Sequence, residues 1–269
     1  MRADIALVER GLARSRNHAS SLIEANRVFV EGREVKKSSQ NIDDAAKLVV
    51  LEAVEYVSRA GHKLARALDS FGELEIQGRT ALDVGASTGG FTDVLLRRGI
   101  RRVVAIDVGH DQLVPELQDN PNVFSIEGFN ARELSFEKLS KIIGTNVDEH
   151  YFDLVVADVS FISLTLVLPA MISVAPNADF VLLIKPQFEV GKESLHASGI
   201  VNDHRLRAQA IQQVVDCADE HDFGVRGLVR SELPGTHGNI EYILWISAQK
   251  HRNQSEWNSK IEQLAKESK

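Results

Sequence analysis

A glycine-rich turn between two predicted elements carries the residues best suited to holding a ligand. Residues 81–91 read Ala-Leu-Asp-Val-Gly-Ala-Ser-Thr-Gly-Gly-Phe, an apolar strand that leads into a turn and then a helix. Gly85, Gly89 and Gly90 have no Cβ, so backbone N–H groups and the start of the helix can approach a ligand closely. Asp107 ends the next predicted strand about 20 residues further on, the spacing at which a carboxylate in an open α/β sheet binds a ribose diol. The pattern predicts a pocket for a cofactor that contains adenosine.

The glycine spacing separates the possible adenosine cofactors. Dinucleotide sites use G-x-G-x-x-G/A and phosphate-binding loops use G-K-[ST], and the run G-A-S-T-G-G after Val84 fits neither. Its form, D-x-G-x-x-x-G-G-[FW]-[ST], resembles the S-adenosylmethionine loop of Rossmann-like methyltransferases. That cofactor has an amino-acid end and a ribose but no phosphate, so it needs no cationic cradle. The alternative is a strand–helix turn whose glycines serve only packing.

The resemblance implies a set of cofactor-binding residues. Asp107 is expected on the ribose. Asn130, in Gly-Phe-Asn-Ala-Arg after the third strand, is expected near the adenine edge, with a helix N-cap as the alternative. The methionine end is expected against Asp83, Gly85, Ser87, Gly89, Gly90 and Phe91.

Four polar residues lie where an open α/β sheet places its ligands. Asp158 ends one predicted strand, and Lys185 directly follows five apolar residues and precedes Pro186. Glu241 stands just before the last predicted strand, and Lys63 lies early in the helix that precedes the glycine turn. Taken alone, Lys63 or Glu241 could equally be a surface ion-pair partner. Gln187, Phe188 and Lys192 follow Lys185 and are candidates for the entrance to the site, where Phe188 could stack on a flipped base.

Lys63, Asp158, Lys185 and Glu241 match in order and context the K-D-K-E tetrad of FtsJ/RrmJ-type RNA ribose 2′-O-methyltransferases. The strings S-R-A-G-H-K-L, D-V-S-F-I-S, L-I-K-P-Q-F-E-V-G-K and G-N-I-E-Y are closer still to the TlyA family, whose members are often named haemolysins. The resemblance covers nearly the whole chain. It implies transfer of a methyl group from S-adenosylmethionine to a ribose 2′-hydroxyl, that of cytidine in ribosomal RNA. Members differ at their termini, so the choice of one or both ribosomal subunits stays open.

The chemistry explains why such residues are needed. A 2′-hydroxyl is a weak nucleophile that must be aligned with an activated methyl group and must lose a proton. Lys185 is the expected general base or oxygen-steering group. Two neighbouring lysines repel each other's charge, which favours loss of a proton from one of them. Lys63 and Asp158 are expected to tune Lys185, and Glu241 to hold the lysine pair or the ribose.

The amino-terminal segment has a different charge from the rest of the chain. Residues 1–38 hold eight Arg or Lys against five Asp or Glu, whereas the whole chain has a net charge of −7. The strings L-V-E-R-G-L-A-x-S-R and A-x-x-L-I-E-A-x-x-V-x-V-x-G resemble the S-four-type RNA-binding domain. The resemblance implies two short helices and a hairpin that contact RNA phosphates, with a solvated basic face as the alternative. The candidate contacts are Arg14, Arg16, Arg27, Arg33, Lys36 and Lys37.

Composition limits the other functional classes. One cysteine, Cys217, allows no disulfide framework, and the nine histidines show no metal-binding spacing, so no metal is expected. The absence of a signal peptide and of an apolar run near twenty residues favours a cytoplasmic protein over a membrane-active cytolysin. A non-catalytic RNA-binding protein is disfavoured because the tetrad and glycine loop are intact. Base methylation is disfavoured because D-V-S-F stands where N/D-P-P-[YF] would be. A monomer is expected.

Alternating strands and helices after residue 57 predict an α/β fold with a mostly parallel sheet. The fold class is a Rossmann-like S-adenosylmethionine-dependent methyltransferase sheet with a small N-terminal α+β S-four-type RNA-binding domain. The expected divisions are 1–53 for the small domain, 54–57 for a connector, 58–250 for the methyltransferase domain and 251–269 for a polar tail, helical around Trp257 and Ile261. The predicted strands are Thr80–Val84, Val103–Asp107, Val123–Ile126, Asp153–Asp158, Val181–Lys185, Val225–Ser231 and Tyr242–Ser247.

Overall fold

The computed structural model of the protein divides into two compact units, Met1–Glu55 and Tyr56–Lys269. Each unit has its own hydrophobic core. The residues described are 1–24, 27–31, 33–43, 45–50, 56–191, 199–235, 238–248 and 254–267.

The first unit packs two helices with a three-stranded antiparallel sheet of order β2-β1-β3. Leu7 of the first helix and Ile23 of the second are buried with Val28 of the sheet. Ser15 Oγ accepts a hydrogen bond from the backbone N–H of His18 and so caps the second helix, since it satisfies one of the free donors of the first turn. The elements are α1 (Ala3–Glu9), α2 (Arg16–Glu24), β1 (Val28–Val30), β2 (Arg33–Glu34) and β3 (Leu48–Val50).

The second unit is built on a seven-stranded sheet of order β6-β5-β4-β7-β8-β10-β9. The pairs from β6 to β8 are parallel, and β10 is antiparallel to both of its neighbours, so the expected mostly parallel sheet is confirmed. Its strands are β4 (Thr80–Val84), β5 (Arg102–Ile106), β6 (Val123–Ile126), β7 (Leu154–Ala157), β8 (Asp179–Ile184), β9 (Gly224–Arg230) and β10 (Tyr242–Ser247).

Helices cover both faces of this sheet because successive strand residues point to opposite sides. Ala81 packs with Leu64 and Val94 on one face, and Leu82 packs with Ile211 on the other. The helices are α3 (Arg59–Ser70), α4 (Gly90–Arg97), α5 (Pro115–Gln118), α6 (Phe136–Ile143), α7 (Leu168–Val174), α8 (Pro186–Glu189), α9 (His204–Glu220) and α10 (Gln254–Lys266).

The ends of β8 differ from the expected strand Val181–Lys185 for local reasons. The strand starts two residues earlier because Asp179 is held by Arg79, at 2.7 Å, and by the indole N–H of Trp245, at 3.0 Å. It stops before Lys185 because Pro186 begins α8 and cannot donate to a strand ladder. Lys185 therefore leaves the sheet at its carboxyl edge.

The carboxyl-terminal helix α10 packs against α9. Ile261 and Ala265 are buried. The buried Arg207 of α9 donates to the carbonyl oxygen of Ala265 through Nε, at 3.2 Å, and Nη2, at 2.7 Å. These bonds satisfy a carbonyl at the end of α10 that has no partner within the helix.

Candidate active site

The four tetrad residues come together as two ion pairs. Lys63 Nζ lies 2.5 Å from Glu241 Oε2, and both side chains are buried, at 9% and 2% exposure. Lys185 Nζ lies 2.7 Å from Asp158 Oδ1, with exposures of 11% and 17%. All four side chains line one cavity of about 360 Å³ that also includes the glycine turn. The expected grouping of these residues in one site is thus observed, and their catalytic roles remain predictions.

Strand topology explains the grouping. Asp158 and Lys185 directly follow the adjacent parallel strands β7 and β8, so both lie at the carboxyl edge of the sheet. Because β10 is antiparallel to β8 and Tyr242 pairs with Ile184, the start of β10 brings Glu241 to this same edge. Lys63 arrives from the second turn of α3.

Ser160 is a member of the site that the sequence analysis did not single out. Its Oγ accepts a hydrogen bond from Lys185 Nζ at 2.7 Å. Asp158 Oδ1, at the same distance from Nζ, lies off the direction of a hydrogen bond and acts as a counter-charge. Ser160 thereby fixes the direction of the Lys185 ammonium group. Its position two residues after Asp158 gives no distinctive signal in the sequence alone, because the contact with Lys185 spans 25 residues.

Glu189 links the connections that follow β7 and β8. Its carboxylate accepts from Ser163 Oγ at 2.5 Å and from the backbone N–H of Leu164 at 2.9 Å. Burial raises the pKa of Glu189, and these two hydrogen bonds oppose that effect. The loop that carries Ser160 is therefore attached to α8, which starts directly after Lys185.

Asn239 holds the loop that carries Glu241. Its buried side chain accepts from the N–H of Val201 and donates to the carbonyl oxygen of Gly199, both at 3.0 Å. Gly235 is required beside it, because a Cβ there would lie 1.9 Å from Glu241 Oε1. Any larger residue at this position would displace the Glu241 carboxylate.

The glycine turn packs tightly against the same site. Gly85 has a φ of 79°, and a Cβ there would lie 2.8 Å from the carbonyl oxygen of Asp158. A Cβ at Gly90 would overlap the hydroxyl of Ser58, just before α3. The absence of side chains therefore lets the turn approach both the β7 connection and α3. Ser87 lines the cavity beside the glycines, and Phe91, in the first turn of α4, also contributes to its wall.

Asp107 is fixed by two backbone donors at the end of β5. The N–H of Ser87 donates to Oδ2 at 2.8 Å, and the N–H of Gly109 donates to Oδ1 at 2.7 Å. Each carboxylate oxygen keeps a second lone pair that a ribose hydroxyl can use. Asn130 caps the short 3₁₀ helix Ala131–Glu133 by accepting from the N–H of Arg132, as the N-cap alternative states. Asp107 and Asn130 both line a second cavity of about 480 Å³.

Two of the expected cofactor residues, Asp83 and Gly89, line neither of these cavities, and Asp83 is buried behind the glycine turn. Its carboxylate is fully buried, and Thr92 Oγ1 donates to Oδ2 at 2.6 Å. Within the described chain Oδ1 has no hydrogen-bond partner. Burial raises the pKa of Asp83 to about 7, with Thr92 opposing the shift and the charge of Asp158 adding to it. Asp83 therefore supports the glycine turn from behind and does not line either cavity.

The cationic residues expected to contact RNA have different environments in the first unit. Arg16 Nη2 lies 2.7 Å from Asp4, which Arg2 also contacts; these arginines hold the pKa of the buried Asp4 carboxyl well below its usual range. Arg14, Lys36 and Lys37 are exposed, and Arg27 is half-buried. The side chain of Arg33 and the whole of Lys192 lie outside the described residues.

Two further searches concern the described residues only. None of their helices combines the length and apolar character needed to cross a membrane. In the same ranges, no group of three or more His, Cys, Asp or Glu is arranged to hold a metal ion.

Comparison with known proteins gives consistent matches over both units. A family model for the FtsJ-like methyltransferase matches residues 56–248, and a model for the S4 domain matches residues 1–46. The 16S/23S rRNA (cytidine-2′-O)-methyltransferase TlyA of Mycobacterium tuberculosis is 46% identical, over 93% of this chain and 91% of the relative. The 23S rRNA (cytidine-2′-O)-methyltransferase TlyA of Campylobacter jejuni is 32% identical, over 91% of this chain and 98% of the relative.

A solved structure described as a hemolysin from Streptococcus thermophilus has a TM-score of 0.71 and 34% identity, and the match covers 98% of this chain and 94% of that one. The sequence identity to the mycobacterial relative extends over nearly the whole chain. The FtsJ-like model covers the unit that contains the tetrad. The chain therefore belongs to the TlyA family of FtsJ-like methyltransferases.

Proposed function

We propose that the protein transfers a methyl group from S-adenosylmethionine to the ribose 2′-hydroxyl of a cytidine in ribosomal RNA. The observation that carries this proposal is the arrangement of Lys63, Asp158, Lys185 and Glu241 as two ion pairs in one cavity with the glycine turn. The relatives named as rRNA (cytidine-2′-O)-methyltransferases support the choice of RNA and nucleotide. The reaction takes place in the cytoplasm, where ribosomal subunits are found.

The residues around the glycine turn suit this cofactor. The two cavities share Gly85, Ser87, Asp158 and Ser160 in their walls, so an elongated ligand can extend from one into the other. Asp107 offers oxygens to the ribose, and the glycine turn leaves room for the amino-acid end. When bound, S-adenosylmethionine supplies a methyl group activated by a sulfonium.

Lys185 is the residue that positions the 2′-hydroxyl. Asp158 supplies a counter-charge to the Lys185 ammonium group. Ser160 accepts a hydrogen bond from one of the three ammonium N–H groups, so the others can donate into the cavity. A fixed donor of this kind holds the attacking oxygen in line with the methyl group, and alignment alone can contribute several kcal/mol. As the new O–C bond would form and the methyl–sulfur bond of the cofactor would break, the 2′-proton would pass from the oxygen to solvent water. Lys63 and Glu241 form a buried ion pair in the wall of the same cavity.

The RNA is held by both units. The exposed Arg14, Lys36 and Lys37 contact phosphates and position the substrate without reading its sequence. In the second unit, Phe161 is 91% exposed and has a φ of 65°, and its ring centroid lies 5.2 Å from that of Phe188. A bulky residue in this conformation is strained, and such strain is common at binding sites. The exposed ring suits stacking on an extruded base.

The test uses tritium-methyl S-adenosylmethionine with both ribosomal subunits from cells that lack the protein. Wild type is compared with Lys185→Ala and with a control, Lys138→Ala, at an exposed lysine of α6 paired with Glu133. We expect label in one or both RNAs, at a position that resists alkaline cleavage, from wild type and control. Lys185→Ala should lower the single-turnover rate at least a hundredfold while cofactor affinity is retained. Label on a base, or a normal rate for Lys185→Ala, would contradict the proposal.

A further inference from the structure

A third cavity includes Lys185 in its lining and none of the residues of the glycine turn. It has a volume of about 890 Å³, and its lining includes the apolar side chains of Phe161, Leu166 and Phe188. The base of a nucleotide is attached to the ribose carbon next to the one that bears the 2′-oxygen. A 2′-oxygen at Lys185 therefore places its base in a cavity that also reaches Lys185. Since the cofactor takes the glycine side in the proposed function, on which this inference rests, the third cavity receives the base.

Most polar side chains of this cavity already have hydrogen-bond partners. The Asn239 amide uses its oxygen and its nitrogen in hydrogen bonds to backbone groups, and Glu241 pairs with Lys63. Ser160 accepts from Lys185, and Ser163 donates to Glu189. These contacts hold the tetrad and its loops together, so each of these groups is already engaged by a partner within the protein.

Gln187, in the first turn of α8, is different. Its Oε1 is buried and, among the described residues, has no hydrogen-bond partner. A buried acceptor without a donor costs roughly 1–3 kcal/mol, so such a group calls for an explanation. Arg132, another polar side chain in the lining, has only donors and cannot accept from an amine. Gln187 is therefore a buried acceptor in the described wall of the base cavity that has no donor.

Cytosine supplies the complement to this acceptor. It carries an amino group at N4, whereas uracil carries a carbonyl oxygen there, and two facing acceptors repel each other. Three rotatable side-chain bonds allow the glutamine amide to turn toward an entering base. A site with a polar group that only one substrate can satisfy discriminates strongly against the analogue that cannot.

We propose that Gln187 determines nucleotide specificity: its Oε1 accepts a hydrogen bond from the cytosine N4 amino group, and the site thereby prefers cytidine to uridine. In this arrangement Gln187 contacts the base and not the cofactor. Its loss should alter the choice of substrate and leave cofactor binding unchanged.

The experiment first locates the cytidine that wild type methylates and then replaces it by uridine in reconstituted subunits. Single-turnover rates on both substrates are measured for wild type, Gln187→Met and Gln187→Glu. Gln187→Met keeps the side-chain length but removes the acceptor, so the cytidine-to-uridine rate ratio should fall tenfold or more. Gln187→Glu keeps an acceptor for the N4 amino group and should retain the preference for cytidine.

The control is Gln212→Met, at a half-buried glutamine of α9 that donates to Asp216. Thermal unfolding and cofactor affinity confirm that each variant is folded, and Gln187→Ala replaces Gln187→Met if the latter is not. An unchanged cytidine-to-uridine ratio in a folded variant without the acceptor would overturn the inference. By contrast, a wild-type enzyme that methylates neither subunit would contradict the proposed function itself.

Discussion

At the scale of single residues, the site depends on side chains whose partners are far away in the sequence. The D-x-G-x-x-x-G-G pattern and the four tetrad positions are local signals, and they predicted that the glycine turn and the tetrad belong to one site. The pairing of each lysine with one carboxylate was not predicted. Ser160 and Glu189 were not found because their roles come from contacts across 25 or 26 residues. A serine after an aspartate has no distinctive pattern until the fold places a lysine beside it.

Asp83 gives a prediction about pH. Its pKa is raised to about 7 in the folded protein, so ionisation costs more there than in the unfolded chain, where carboxyls titrate near pH 4. Its contribution to the free energy of unfolding is therefore greatest below about pH 4 and decreases as the pH rises to about 7. Asp83→Asn stays neutral, so its stability relative to wild type should increase over this range, by roughly 3 to 4 kcal/mol.

Urea unfolding of the two proteins at several pH values between 4.5 and 8 measures this difference. Asp148→Asn, an exposed carboxyl in the same unit, serves as the control. A stability difference that does not change with pH would show that the Asp83 carboxyl titrates normally in the folded state.

At the scale of elements, the site is formed where the turns after β4, β7 and β8 meet the start of β10 and the helix α3. Three predicted strands, β4, β6 and β10, agree with the structure residue by residue, because apolar runs bounded by turns define them clearly. The position of β10 between β8 and β9 could not be read from the sequence, because strand order depends on pairing between distant segments. The attachment of the β7 connection to α8 was missed for the same reason.

Glu189→Ala should impair catalysis more than cofactor binding. The change leaves the N–H of Leu164 without its partner and frees the loop that carries Ser160 and Phe161. We expect a loss of 1–3 kcal/mol in stability and a rate reduction of about tenfold or more. Glu189→Gln keeps an acceptor for the N–H of Leu164 and should recover most of the rate. Thermal unfolding and single-turnover methylation test both variants, and a normal rate for Glu189→Ala would exclude this positioning role.

At the scale of the whole molecule, an acidic chain carries cationic side chains on its small unit. The net charge of −7 would disfavour an RNA partner if it were spread evenly. Arg14, Lys36 and Lys37 are exposed in the first unit, whereas Arg16 is engaged with Asp4. The sequence could list the cations, but it could not separate those that stabilise the unit from those available to a ligand.

Replacing Arg14, Lys36 and Lys37 together by alanine should weaken binding to ribosomal subunits in a salt-dependent way. Each lost phosphate contact should lower the slope of log K against log salt concentration by about 0.7 to 0.9. Binding is measured by filter retention at several salt concentrations, and cofactor affinity should be unchanged. A double variant, Lys138→Ala with Lys141→Ala on the exposed part of α6, is the matched control. A triple variant with the wild-type salt slope would assign RNA binding to other residues.

The position of β10 also has a consequence for biosynthesis. In the sheet, β10 lies between β8 and β9. Until residues 242–247 have left the ribosome, β9 has no partner strand and β8 is paired on one side only, with β7. Glu241 is the last of the four tetrad residues to be translated, and it enters the site only as this strand joins the sheet. A nascent chain that ends before β10 has the glycine turn and both lysines, but Lys63 lacks its carboxylate partner. The tetrad is therefore completed by the same event that completes the sheet.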